Sequence, residues 1–173
     1  SSDLFRVLMN CIEARKHLYC DKPLAPKPEE CWKLVRAAAK ANLVGQMFSF
    51  LTQPIADLAL QALTQIGKLR TVHADWFFAK GQPGTAIAQT SRIECYPPTK
   101  HQNLLTKREV DNCGIYPIGL IEFLTKLPIT RIQALTRNYF FHEHELDDVE
   151  DFGTSIGMLG DSVVFTLSTG RVG

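Results

Sequence analysis

No two cysteines form a C-x-x-C pair, although the chain has five: Cys11, Cys20, Cys31, Cys95 and Cys113. An odd count without such a pair argues against a zinc ribbon or a thioredoxin-type redox motif, and predicts reduced thiols in a cytoplasmic protein. Cys11, Cys20 and Cys31 lie among apolar residues, where a free thiol serves as a small core side chain. No apolar run approaches the roughly 18 residues that a membrane-spanning helix requires. Lys and Arg do not cluster with interleaved aromatics and the formal net charge is only +1, so neither nucleic acid nor a membrane is expected as a partner. Internal repeats and low-complexity segments are absent too. What is present is 173 residues, 45% hydrophobic and 21% charged, enough for one domain with a real core or for parts of two.

Hydrophobic periodicity divides the chain into two patterns. Residues 3–15 repeat Leu4, Val7, Leu8, Cys11 and Ile12 at helical spacing, with Asp3 as a cap. The run His17 to Cys20 predicts a buried strand. Residues 28–41 predict a second helix, with Pro28 in its first turn, Glu29 and Glu30 beside it, and Asn42 at its end. Cys31, Leu34, Val35 and Ala38 share one face. Leu43 to Phe48 then reads as a second strand. Helix, strand, helix, strand with short links implies a parallel sheet.

Beyond that point the pattern changes. A helix is expected over 53–65, burying Ile55, Leu58, Ala59, Ala62 and Leu63, with Gly67 in the left-handed position after it. Residues 69–78 alternate Val72, Ala74, Trp76 and Phe78 as a strand does. Residues 79–109 read as loop, with room for short strands at Ile87-Ala88 and Ile93–Tyr96. An apolar helix follows over 113–126, with Ile118, Ile121, Phe123 and Leu124 as core. Strands are expected over 130–141, 149–158 and 162–169, the last two broken at Gly160-Asp161. The fold class is therefore α/β plus α+β. Residues 1–47 are expected to form a parallel-sheet piece, and 48–173 a mostly antiparallel open sheet with helices on one face.

Two stretches carry chemistry. The first is Asp21-Lys22-Pro23, directly after the first strand. Pro23 ends the strand and biases Lys22 toward an extended conformation. One ammonium beside one carboxylate thus stands at the carboxyl edge of a parallel sheet, where ligands bind in open α/β folds. The second is Val110-Asp111-Asn112-Cys113-Gly114-Ile115-Tyr116-Pro117. His142-Glu143-His144-Glu145 invites a metal reading, since on a strand the two imidazoles would share a face. Two ligands do not complete a site, and a solvated strand end is expected instead. Ser91, Ser155 and Ser168 lack the context of a nucleophile elbow.

Ala14-x-Lys16-His17-Leu18-Tyr19-Cys20-Asp21-Lys22-Pro23-Leu24-Ala25, then Pro28-Glu29-Glu30-Cys31 with Leu34-Val35 and Ala37-Ala38, resembles the Glu-Lys-Pro region of the Gfo/Idh/MocA oxidoreductases. Glucose–fructose oxidoreductase and inositol dehydrogenase are members of that family. Asp21 stands where the family has Glu. The stretch 110–117 resembles the family's Asp-x-Gly-x-His/Tyr motif: Gly114 takes the glycine, Tyr116 the His/Tyr position, and Asn112 falls where the family has Asp, with Asp111 one residue off. The resemblance implies an NAD(P)-dependent dehydrogenase or reductase moving hydride between nicotinamide and a hydroxyl or carbonyl carbon of a sugar or polyol.

It further implies Asp21, Lys22 and Pro23 beside the cofactor and Lys22, Tyr116, Asn112 and Asp111 at the reacting group, with no metal. A phenol titrates near 10, and a close ammonium favours its phenolate. Lys22 and Tyr116 are expected to act on one substrate oxygen. No G-x-G-x-x-G occurs in the chain, and the resemblance implies that residues 1–47 are only the C-terminal part of a Rossmann-type dinucleotide-binding domain, with 48–173 the α+β substrate and oligomerisation domain. A fragment is therefore expected, with NAD and NADP both open. Two other readings remain: a family-fold protein that binds or regulates without catalysis, which Asn112 and Asp21 favour, and a homo-oligomer formed through the C-terminal sheet.

Overall fold

The computed structural model describes residues 2–25, 27–48, 54–81 and 108–172. The chain divides into two compact units, Ser1–Phe48 and Ser49–Gly173.

In the first unit, α1 (Ser2–Glu13) ends where Arg15 turns left-handed at φ 58°, and β1 (Leu18–Cys20) follows. Helix α2 (Pro28–Lys40) begins after an extended Lys27, with Pro28 in its first turn, where the missing N–H leaves nothing unpaired. It closes on Asn42 at φ 53°, and Leu43 N–H reaches back to the Ala38 carbonyl at 3.0 Å, the 6→1 bond of a Schellman ending. Strand β2 (Gly45–Met47) runs parallel to β1, Leu18 opposite Gly45 and Cys20 opposite Met47. His17 Nδ1 accepts the Val44 N–H at 3.0 Å and fixes the strand entry. Leu8, Ile12, Cys20, Leu34 and Ala38 form the core.

The expected burial of the whole run His17–Cys20 is corrected. The pleat turns Leu18 and Cys20 toward the helices and sends Tyr19 the other way, 74% exposed.

The second unit contains α3 (Pro54–Leu63), β3 (Thr71–Ala79), α4 (Glu109–Asn112), α5 (Ile115–Thr125), β4 (Ile129–Arg137), α6 (His142–Leu146), β5 (Phe152–Leu159) and β6 (Val163–Val172). Its sheet has the order β3-β6-β5-β4; β3 pairs β6 parallel, and the other two pairings are antiparallel. Alternation in β3 is as read: Val72, Ala74, Trp76 and Phe78 turn inward and their neighbours outward. Ile121 of α5 packs on Leu159, Val163, Phe165 and Leu167 to make the core. Phe165 is fully buried, and burial of such a ring contributes roughly 1.5–3 kcal/mol. The opposite face of the sheet leaves Phe77, Leu135, Ile156 and Val164 exposed.

Three expectations are revised. The buried stripe of α3 runs along Ala56, Ala59, Leu60 and Leu63, while Ile55 and Leu58 are 62% and 59% exposed; the helix is apolar on two sides, so periodicity does not choose between them. The strand expected to reach residue 141 stops at Arg137, because the Asp151 carboxylate takes the N–H groups of Tyr139, Phe140 and Phe141 at 2.8–2.9 Å. The strand expected from 149 starts at Phe152, after Asp148 turns left-handed at φ 50°. The short strands expected at Ile87-Ala88 and Ile93–Tyr96 lie outside the described residues.

Candidate functional site

Asp21 and Lys22 follow Cys20, the last residue of β1, and so stand at the carboxyl ends of the parallel pair. The Phe48 N–H donates to the Cys20 carbonyl at 2.8 Å and closes the pairing at that end. Asp21 Oδ1 accepts the Lys22 N–H at 2.8 Å, a local turn that turns the carboxylate back onto its own chain. The Lys22–Pro23 peptide is cis. Asp21 is exposed, whereas Lys22 and Pro23 are half-buried. Burial pushes the Cys20 thiol up, and the Asp21 charge adds to that, so this cysteine stays protonated.

The second group is built on α4 and α5. Gly114 joins the two helices with its Cα close over the Val110 carbonyl; a Cβ there would lie 2.5 Å from that oxygen. Glycine is therefore what lets α5 begin at Ile115, which puts Tyr116 in its first turn. The Tyr116 ring packs on Trp76 of β3, centroids 5.8 Å apart. Asn112 is half-buried, and its N–H donates to the Arg108 carbonyl at 2.8 Å. Asp111 is exposed at its outer side, yet desolvation around the carboxyl pushes its pKa up, against a weaker pull downward from Arg108. The second unit thus brings Asp111, Asn112 and Tyr116 together on one short segment.

Residues 142–146 form a helix, α6, which corrects the strand reading of the two histidines. At helical spacing His142 and His144 point apart: His142 is exposed and pairs with Glu145, and His144 is fully buried against Phe141. No group of three or more His, Cys, Asp or Glu able to hold a metal occurs among the described residues. Ser155 lies between Gly153 and Gly157 in mid-β5, with its hydroxyl on the Leu167 carbonyl, so it sits in a strand and not at an elbow.

An ion pair that no local sequence pattern signals, Arg108 with Glu150, lies beside the 111–116 segment. Arg108 donates to Glu150 Oε2 at 2.8 Å and to the Asp148 carbonyl at 3.3 Å. Its one signal in the sequence is its place just before the Asp-Asn-Cys-Gly motif; the acid lies 42 residues on, beyond any local pattern.

Residues 4–49 match the Gfo/Idh/MocA oxidoreductase family, NAD-binding Rossmann fold. That segment contains Asp21, Lys22 and Pro23. No curated protein matches the chain. Over its whole length the chain shares its fold with solved dehydrogenases. A probable dehydrogenase from Thermotoga maritima aligns at TM-score 0.80 and 12% identity, over 99% of this chain and 48% of that one. Myo-inositol 2-dehydrogenase from Lactobacillus plantarum aligns at 0.77 and 17%, over 97% and 48%. Scyllo-inositol dehydrogenase from Lactobacillus casei, solved with NAD(H) and scyllo-inositol bound, aligns at 0.74 and 19%, over 98% and 48%. At such identities the likeness is one of fold, and the chain spans about half the length of the structures it matches. No helix among the described residues is long and apolar enough to cross a membrane.

Proposed function

We propose that the chain carries the lysine and tyrosine segments of an NAD(P)-dependent dehydrogenase or reductase acting on a hydroxyl or carbonyl carbon of a sugar, polyol or related small molecule. The observation that carries this is Lys22, half-buried at the carboxyl end of a parallel strand, inside the 46-residue span matched by an NAD-binding family. The residues suit the nicotinamide end of such a cofactor: Lys22, a cation, follows β1 at the carboxyl edge of the parallel pair, with its N–H held by Asp21 Oδ1. When bound, the cofactor supplies the hydride acceptor or donor.

The residues of the chain do the rest. The Lys22 ammonium stabilises negative charge that develops on the substrate oxygen. Tyr116, as its phenolate, takes the hydroxyl proton in the oxidative direction and, as the phenol, returns it in the reductive one. Asn112 and Asp111 orient the oxygen or a water beside it. In the full-length protein, Lys22→Ala is expected to lower turnover by on the order of 10²-fold while leaving the unfolding midpoint nearly unchanged. The assay is nicotinamide reduction with a panel of polyols and sugars. A Lys22→Ala protein with wild-type turnover, or a wild-type protein inert with every substrate and both nucleotides, overturns the proposal. The second outcome favours a binding or regulatory role, for which Asn112 in place of the family's carboxylate is the supporting observation.

We also propose that the open face of the four-stranded sheet pairs with a second copy of the chain. Phe77, Leu135, Ile156 and Val164 leave apolar surface on that face. Sedimentation of an Ile156→Glu protein tests this; the same mass as wild type overturns it.

A further inference from the structure

Arg108 immediately precedes α4, the four-residue helix that presents Asp111 and Asn112. One helical turn does not hold itself in water, so its placement has to come from tertiary contacts. Two of these are apolar: Cys113 is buried, and Val110 stacks where a side chain on Gly153 would stand, 2.7 Å from a Cβ built there. The third is ionic. The Arg108 guanidinium spans Glu150 Oε2 and the Asp148 carbonyl, and its own backbone carbonyl accepts the Asn112 N–H.

The far side of this bridge is firmly anchored. Glu150 is 6% exposed. Its neighbour Asp151 is fully buried, accepts three backbone N–H groups from residues 139–141, donates its N–H to Arg137, and accepts the Arg171 N–H at 2.8 Å. The Asn138 side chain donates to the Val149 carbonyl. The segment 148–151 is thereby tied to β4, β6 and the turn into α6, and the Arg108 bridge passes that rigidity to α4.

We propose that Arg108 and Glu150 act as a pair of positioning residues: the buried carboxylate holds the guanidinium, and the guanidinium fixes the turn from which Asp111, Asn112 and Tyr116 are presented. The proposal rests on the reading of Tyr116 as the proton-exchanging group. Neither residue of the pair touches the reacting atoms. A charge pair 2.8 Å apart with one partner buried is directional, and positioning errors of about 1 Å in a reacting group lower rates by on the order of 10²-fold.

The test uses the full-length protein with Arg108→Ala, Glu150→Gln, the double variant and Arg108→Lys. Glu150→Gln keeps the shape and an acceptor oxygen, so it reports even where Arg108→Ala folds poorly. Each single variant is expected to lower kcat by about 10- to 10²-fold with the nucleotide KM unchanged. The double variant is expected to be no worse than the poorer single one, and Arg108→Lys to recover part of the loss. In the ligand-free protein, amide exchange at Asn112 and Tyr116 should quicken in Arg108→Ala and Glu150→Gln but not in Arg108→Lys. Additive losses, or unchanged exchange at both amides, overturn the proposal. Should the wild-type protein turn over no polyol at all, the functional reading fails, and amide exchange alone decides the positioning.

Discussion

Tyr116 lies with its ring 5.8 Å from that of Trp76, the two planes tilted by 38°. The tyrosine is therefore part of the packing of α5 on β3 and at the same time the residue assigned to proton exchange. The two roles separate by substitution. Tyr116→Phe keeps the ring against Trp76 and removes only the hydroxyl. It is expected to leave stability within about 0.5 kcal/mol of wild type and to lower turnover by on the order of 10²-fold. Tyr116→Ala should lose the same activity and also the aromatic pair, about 0.5–1.5 kcal/mol beyond its burial. Chemical denaturation and steady-state kinetics on the three proteins check this. Full turnover in Tyr116→Phe reduces Tyr116 to a packing residue.

Asp151 organises a region in which strand and helix signals give way. With its side chain fully buried, it accepts the N–H groups of Tyr139, Phe140 and Phe141. Asp151→Ala leaves three donors without an acceptor, at about 1–3 kcal/mol each where they stay dry, and so is expected to destabilise by about 3 kcal/mol or more. Asp151→Asn keeps one acceptor oxygen and should lose less. Urea titrations of the two variants measure the difference; equal losses would mean that charge and not hydrogen bonding matters.

The same residue explains where the sequence was legible and where it was not. Local signals sufficed for β3, whose alternation from Val72 to Phe78 appears unchanged in the fold, and for α2, bounded by Pro28 and Asn42. They sufficed for the Gly160 turn, which the structure holds at φ 53°. They failed at 138–151, because the bonds that set that backbone come from a side chain ten to twelve residues away. They failed on α3 for another reason: Ile55 and Leu58 compete with Ala56 and Leu60 as an apolar stripe, and only the partner α5 decides. Of the candidate site, Lys22 and the 111–116 motif stand out as short words in the sequence, while the Arg108–Glu150 pair does not.

Gly114 offers a sharper test of the α4–α5 joint. A Cβ there would approach the Val110 carbonyl oxygen to 2.5 Å and its carbon to 3.3 Å, and both are backbone atoms that cannot swing aside. Gly114→Ala is expected to destabilise by about 1–3 kcal/mol and to displace Tyr116, so activity should fall together with stability. Gly119 on the same helix meets nothing within 4 Å, so Gly119→Ala should be neutral or stabilising by about 0.5–1 kcal/mol. Thermal melts of the pair check the contrast. Equal behaviour of the two variants would remove the steric argument.

Asp111 ties the stability of the fold to pH. Its carboxyl is pushed above the ordinary 3.8 chiefly by desolvation, with Arg108 pulling the other way. A carboxyl whose folded pKa is raised binds its proton more tightly in the folded state than in the unfolded one. Between 3.8 and the raised value the folded state therefore holds more protons, and stability falls as pH rises through that window. Above the window the loss is complete, so at neutral pH the Asp111 carboxylate opposes folding. Asp111→Asn is expected to raise the melting temperature at pH 7 and to match wild type in acid below about 3.8, where both side chains are neutral. Arg108→Gln removes the downward pull, so it should move the Asp111 titration still higher. Carboxyl NMR titrations and melts across pH measure both effects. A titration of Asp111 at or below 3.8, or an Asp111→Asn protein less stable than wild type at neutral pH, would show that hydrogen bonds to the charged form outweigh its desolvation.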